Sequence, residues 1–389
     1  TRSPRRAEQM RDVVVVGGGP AGSRSAALLA RDADVVVLEE HLRSGVPMQC
    51  AGLITDDVIE LSGVRPDILS TLFGAEVVFP DGTALTVRSD SPKARAVDRA
   101  DLDSKMADAA MAAGAEYMFG TRFLSSRVSD RVSVDTTAGG IEAALVVGAD
   151  GHTSSVSAGI PGSGPREYLR GIQADVAWRP DHDDLFRIHL GSRYAPGFFT
   201  WEIPCGDFTR VGLCTSWEAG PPMPYLRRLL EDLGAEDRVV GMHSGKIPLH
   251  GRGRIVRDRT MLIGDAASQV KPVSGGGLYP GLRAAGILAD VAGRALSDGD
   301  LSAGRLSEYE RRCDRDFGSE LRRGYTLRRM FVRMSDEDLT AAGRFASRDD
   351  VRSVLDDIDI DHPSAVVRGL LAHPSAALSA VPLVLRCLV

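Results

Sequence analysis

From Asp12 the chain reads DVVVVGGGPAGSRSAALLARDADVVVLEE, and this stretch limits the possible folds more than any other. Four consecutive valines form a strand buried on both faces, as in a parallel sheet. A glycine turn, an Ala/Leu-rich helix and a second apolar strand ending in acid follow, which together make a βαβ unit. Each glycine has its own task. Gly17 permits the tight turn, Gly19 lets the backbone approach a pyrophosphate, and Gly22 lets the helix pack close to the strand, so that phosphates sit at a helix N-terminus. Glu39 closes the second strand about 20 residues on, where a carboxylate accepts hydrogen bonds from ribose hydroxyls.

This fingerprint alone does not choose between NAD and FAD, but two later segments do. ALVVGADGHTSSV (144–156) is a strand running into Gly-Ala-Asp-Gly. TMLIGDAASQVKPVSGGGLYPGLRAAGILAD (260–290) is a strand, then Gly264 and Asp265, then a glycine run that opens a long helix. Asp265 can hydrogen-bond a ribityl chain. The amides of Gly275, Gly276, Gly277 and Leu278 at the helix start can face negative charge on a reduced flavin. The expected cofactor is therefore FAD, bound without a covalent link.

Between these segments the pattern turns to short alternating stretches with turn signals at PDG and PCGD, which read as antiparallel strands. The expected fold class is α/β: a Rossmann-like FAD-binding domain (12–73, 95–164 and 251–300), an inserted antiparallel β-sheet substrate domain (74–94 and 165–250) and a C-terminal helical region (301–389). FTWEIP, residues 199–204, then lies on a strand facing the substrate cavity.

A net charge of -6 gives no general basic surface, so nucleic acid is not an expected partner. The five cysteines lack the close spacing of a metal or cluster site and point to a reducing compartment. The opening TRSPRRAEQM reads as a disordered leader with Met10 as a candidate start, and no stretch reaches the ~18 uninterrupted apolar residues of a spanning helix. The expectation is a cytoplasmic protein. The apolar end GLLAHPSAALSAVPLVLRCLV (369–389), broken by Pro374, Pro382, His373 and Arg386, reads as a packed helix pair with peripheral membrane contact as a second role.

The three nucleotide segments in this order resemble the two-domain flavoproteins of the hydroxylase and reductase superfamily. PMQCAGLIT (47–55), YLRGIQADV, FTWEIP and the run YERRC...FGSELRRGYTLRRMF...SDEDL resemble archaeal geranylgeranyl reductases, enzymes that saturate digeranylgeranylglycerophospholipids. The resemblance covers Asp12 to about Leu339. It implies FAD contacts at Ala21, Glu39, Cys50, Ala51, Arg99, Phe123, Asp265, Gly277 and Leu278, a geranylgeranylated lipid substrate, and ferredoxin or NAD(P)H as electron donor. Phe199 stands where the family has Tyr, Ile203 where it has Phe, and Cys214 where a Gly-x-Gly ends the segment.

FTWEIP also resembles the Trp-x-Trp-x-Ile-Pro segment of flavin halogenases, so a monooxygenase or halogenase acting on an aromatic ring is the alternative. A prenyl-binding protein without catalysis is a third reading, against which the intact flavin segments count. No Lys stands near residue 80 for hypohalite capture, and Lys93 reads as solvated surface. For the reductase reading, Cys50 is the candidate catalytic group, either as proton donor, as reporter of flavin position or as a small packing residue. Phe199, Trp201, Ile203 and Pro204 are the candidate wall of the substrate pocket.

Overall fold

The computed structural model describes residues 10–351 apart from 252 and 350. Residues 1–9 of the leader and the apolar segment 369–389 lie outside the described residues. Strand β1 (Arg11–Val16), helix α1 (Pro20–Leu29) and strand β2 (Val35–Glu39) build the expected unit, with β1 paired in parallel to β2 on one side and to strand Gly139–Gly148 on the other. The valine run feeds two cores. Val13 and Val15 pack with Ala26, Val37, Leu288 and Val291, while Val14 and Val16 pack with Phe123, Val132, Val134 and Leu262. A strand covered on both faces has no polar phase, which is why the run is continuous.

The eight-stranded sheet carries Glu116–Phe119 beside β2 and Thr260–Leu262 beside Gly139–Gly148, both in parallel. Helix Leu278–Asp298 lies over α1, and its Ala284, Ala285, Leu288, Val291 and Ala292 are completely buried. Small residues on this face let the two helices approach closely.

A second, seven-stranded sheet runs in the order Val239–Gly251, Pro165–Val176, Phe208–Ser216, Thr200–Cys205, Leu185–His189, Gly74–Val78, Ala84–Arg88. Its hairpins turn at Gly82 (φ 82°) and Gly206 (φ 74°). It is antiparallel except where Leu185–His189 meets Gly74–Val78 in parallel. That junction joins two stretches far apart in the chain, so no hairpin constrains its direction. Helix Met223–Asp232 covers one face through Leu226, Leu229 and Leu230. The other face meets a three-stranded sheet of Leu53–Ile54, Ile68–Leu72 and Ala94–Val97.

The helices after residue 301 bind the two sheets together. Tyr309 of Ala303–Cys313 is completely buried and donates to the Leu262 carbonyl at 3.0 Å. A π-helical turn, Asp314–Gly318, leads into Ser319–Arg333, whose Arg328 is 2% exposed, pairs with Glu167 and donates to the Gly197 carbonyl at 2.9 Å. One turn earlier Tyr325 stacks on His250, with ring centroids 4.2 Å apart. Among the described residues no helix is long and apolar enough to cross a membrane.

Candidate flavin and substrate site

The glycine turn shows directly what its sequence requires. Gly17 sits at φ +101°, and a Cβ there would lie 2.4 Å from the Ala149 carbonyl oxygen. A Cβ on Gly22 would come within 2.0 Å of the Gly17 oxygen. At Gly19, by contrast, a Cβ would meet no atom within 4 Å. Two glycines are thus demanded by the fold and the third leaves room at the start of α1 for a phosphate. Ala21 lies in that first turn, its methyl 3.0 Å from where a Gly264 Cβ would stand.

Glu39 is 7% exposed. Its Oε2 accepts from the Gly18 amide at 2.8 Å, and its Oε1 from the His41 amide at 2.9 Å with His41 Nδ1 at 2.7 Å. The carboxylate therefore ties the glycine turn to the end of β2 while keeping lone pairs on Oε2. Nearby, the Ser44 hydroxyl is buried with no partner among the described residues, 3.0 Å from where a Gly18 Cβ would stand. Ser268 and Ser274 hydroxyls are in the same condition further along the site. Buried hydroxyls without partners are unusual and mark where a polar ligand belongs.

Asp265 follows Gly264 (φ 64°), and its Oδ1 lies 3.0 Å from where a Gly277 Cβ would stand. Burial pushes its carboxyl up to about 6 against the opposing pull of Arg99. The turn is held from behind: Gln269 Oε1 accepts from the Gly264 amide at 2.8 Å, and Gln269 Nε2 donates to the Tyr309 hydroxyl at 3.0 Å. The loop to Gly276 is closed by Lys271, which is 6% exposed and whose Cε is 2.9 Å from a Cβ position on Gly276. Gly277 caps the helix that starts at Leu278.

Cys50 is half-buried, and its Sγ accepts from the Gly52 amide at 3.5 Å. Beside it Arg99, 8% exposed, grips Asp103 through Nε at 3.0 Å and Nη2 at 2.9 Å. Burial alone would lower the Arg99 guanidinium, but Asp103 and then Cys50 overcome it and hold the cation above its ordinary range. Arg99 is therefore a permanent charge at the thiol. Phe123, by contrast, is enclosed in the core beneath the parallel sheet with Val14 and Val16.

The loop that carries Cys50 is clamped by residues that sequence reasoning passed over. Gln173, 4% exposed, donates through Nε2 to the Cys50 carbonyl at 3.1 Å. Arg210, 3% exposed, donates to the Ala51 carbonyl at 2.8 Å and is fixed by Asp175 at 2.8 Å. The available signal was polar Gln173 and Asp175 at alternate positions of an otherwise apolar strand, GIQADV.

Trp201 lies on the same sheet face. Its ring covers Gly212, where a Cβ would be 2.5 Å from the indole and 2.6 Å from Gln173 Cβ, so only glycine fits between them. Trp201 Nε1 and Gln173 Oε1 are both buried without a partner among the described residues. Phe198 and Phe199 stack at 4.2 Å, and Phe199 meets Trp201 edge-on at 6.5 Å. Ile203, 1% exposed, is enclosed with Leu72, Ala94 and Cys205. Pro204 is buried on the opposite face of the strand by the pleat alternation. The structure thus brings Cys50, Arg99, Trp201 and Asp265 into one neighbourhood and keeps Ile203 and Pro204 in packing.

A parallel sheet with a glycine-turn nucleotide cradle, overlaid by a second sheet bearing aromatics, defines an FAD-dependent oxidoreductase. Residues 10–187 match the FAD binding domain family. Digeranylgeranylglycerophospholipid reductase of Methanothrix thermoacetophila is 32% identical over 366 residues, spanning 87% of this chain and 92% of that protein. The chain belongs to the digeranylgeranylglycerophospholipid reductase family. Among solved structures, a geranylgeranyl bacteriochlorophyll reductase-like protein of Thermoplasma acidophilum shares the fold with a TM-score of 0.83 at 20% identity, covering 96% of this chain and 99% of that one. The flavin-dependent halogenase CmlS shares it less closely, with a TM-score of 0.68 at 19% identity over 95% of this chain and 78% of that one.

Proposed function

We propose that this protein reduces isoprenoid double bonds in geranylgeranylated glycerophospholipids, using FAD. The observation that carries the reading is the match of 87% of the chain to a reductase named for that substrate. The cradle of Gly19, Glu39, Ser44, Asp265 and the Gly275–Leu278 turn suits the cofactor from phosphates to ring, and Gly276 and Gly277 keep the backbone near it. Bound and reduced, FAD supplies a hydride to carbon.

The protein's own residues meet the other needs of an isolated alkene, which is a poor acceptor unless a proton arrives at the second carbon. Cys50 Sγ holds that proton in our reading, and the Arg99 cation stabilises the negative charge left on sulfur. Gln173 and Arg210 hold the successive carbonyls of Cys50 and Ala51, which fixes the backbone that carries the thiol. Phe198, Phe199 and Trp201 exclude water and guide the chain. A ferredoxin-type carrier or NAD(P)H delivers the two electrons consumed per double bond.

The test is anaerobic. Reduced enzyme mixed with a geranylgeranylated glycerophospholipid should add one hydrogen pair per double bond, read by product mass, while its flavin reoxidises in step. A flavin that stays reduced with the lipid, yet with oxygen and halide modifies an aromatic ring, would replace this assignment with the halogenase reading.

A further inference from the structure

Outside the flavin cradle, helices α1, Asp56–Ser62, Leu278–Asp298 and Ala303–Cys313 and the π-helical turn border an open groove of about 540 Å³. Arg24, Arg283, Arg312 and Arg315 line it, with Asp316 as the one acid in the lining. In a chain of net charge -6 this concentration of guanidinium is unexpected. Arg283 is neutralised by Asp316 at 2.6 Å, and Arg312 by Asp290 with Glu308 at 3.8 Å. Arg24 and Arg315 have no carboxylate within ion-pair distance among the described residues. Arg24 is also partly buried, and that burial together with Arg31 lowers its pKa below the ordinary value.

The rest of the groove is aliphatic. Leu28, Leu61, Leu282 and Ile287 form the floor, and no aromatic ring lies in the lining to stack a base. Two unpaired guanidinium forks suit the oxygens of a phosphate, which they can bind in bidentate fashion. An apolar floor beside them suits the first carbons of a chain. A nucleotide would leave its base without a partner, and the groove is the size of a headgroup and not of a protein surface.

We propose that this groove binds the phosphodiester headgroup of an anionic phospholipid, with the adjoining chain carbons on the Leu28, Leu61, Leu282 and Ile287 floor. None of its lining residues belongs to the glycine turn or to the Gly264–Gly277 segment, so occupation of the groove does not compete with FAD. The site would hold the flavin-binding half of the molecule against an anionic lipid surface.

The flavin-loaded protein can be tested directly by cosedimentation with phosphatidylglycerol vesicles, with phosphatidylcholine vesicles as control, and by calorimetric titration with dihexanoylphosphatidylglycerol and with inorganic phosphate. Phosphatidylglycerol should bind and phosphatidylcholine should not, with affinity falling as salt rises. Arg315→Gln, at an exposed position, should weaken binding roughly fivefold, and Arg24→Gln by a similar factor, if each contributes about 1 kcal/mol to an anionic surface. Flavin absorbance and melting temperature serve as the folding control, and Arg315→Gln keeps the test informative should Arg24→Gln disturb packing. Equal binding to both vesicle types, or unchanged binding in both variants, overturns the proposal. Phosphate binding as tightly as dihexanoylphosphatidylglycerol would reduce the groove to a bare anion site. Competition by an acidic iron-sulfur carrier, with no response to lipid, would make it a protein-docking surface.

Discussion

At Cys50 a thiol neighbours a guanidinium that is always charged, and Gln173 grips the carbonyl of the same residue. If the thiol delivers the proton, Cys50→Ala should keep its FAD but lose turnover on the order of a hundredfold, the usual share of general acid catalysis. A loss of only a few-fold would make Cys50 a packing residue. Gln173→Ala tests the positioning separately: it removes the partner of the Cys50 carbonyl, and should cost about 1 kcal/mol of stability read by denaturant unfolding. It should also change the rate at which iodoacetamide alkylates Cys50, which a purely structural loss elsewhere would not do. Asp265 carries a pH signature. In the unfolded chain it titrates near 3.8 and in the folded protein near 6, so between these values the folded state retains the extra proton and stability falls as pH rises. Calorimetry of flavin-free Asp265→Asn should therefore show a melting-temperature advantage over the parent that opens between about pH 4 and pH 6 and stays level above. Parallel curves for the two proteins would mean that Asp265 is not desolvated.

The glycine turn separates fold from ligand at the scale of the element. A Cβ on Gly22 collides with the Gly17 oxygen at 2.0 Å, so Gly22→Ala must push α1 off β1 and should lower the melting temperature of the flavin-free protein. Gly19→Ala meets no protein atom within 4 Å. It should leave that melting temperature unchanged and weaken FAD binding alone, measured by titration of the apoprotein. Equal destabilisation by both variants would show that the space at Gly19 does not serve a ligand. These roles were legible from spacing because a βαβ turn places each glycine within a few residues of the atoms it must approach. Tyr309 was not. It stands in a charged helix, EYERRC, and only the fold brings its hydroxyl to the Leu262 carbonyl and Gln269, far away in sequence.

Across the whole molecule, Arg328 links the C-terminal helices to the seven-stranded sheet. Arg328→Met removes the Glu167 pair and the bond to Gly197, and the loss of charge-assisted hydrogen bonds should cost about 2 kcal/mol. Flavin content should hold while lipid turnover falls, since Arg328 also lies 5.7 Å from the Phe198 ring that begins the aromatic wall. A variant that lost FAD first would show that the helices support the cradle more than the pocket. The parallel nucleotide unit and the FAD segments were legible in the chain because each depends on local periodicity or on glycines a few residues apart, and the family was legible in short motifs such as PMQCAGLIT and YLRGIQADV. Tertiary structure alone decided which residues meet at Cys50. Gln173 and Arg210 reach that loop from 123 and 159 residues away, Ile203 shares the strand face of Trp201 yet is enclosed by Leu72 and Ala94 of the three-stranded sheet, and the two unpaired arginines of the groove come from distant parts of the chain. Side-chain direction on a strand alternates by fixed geometry, but which face meets the flavin half depends on how the two sheets pack, and no local pattern encodes that contact.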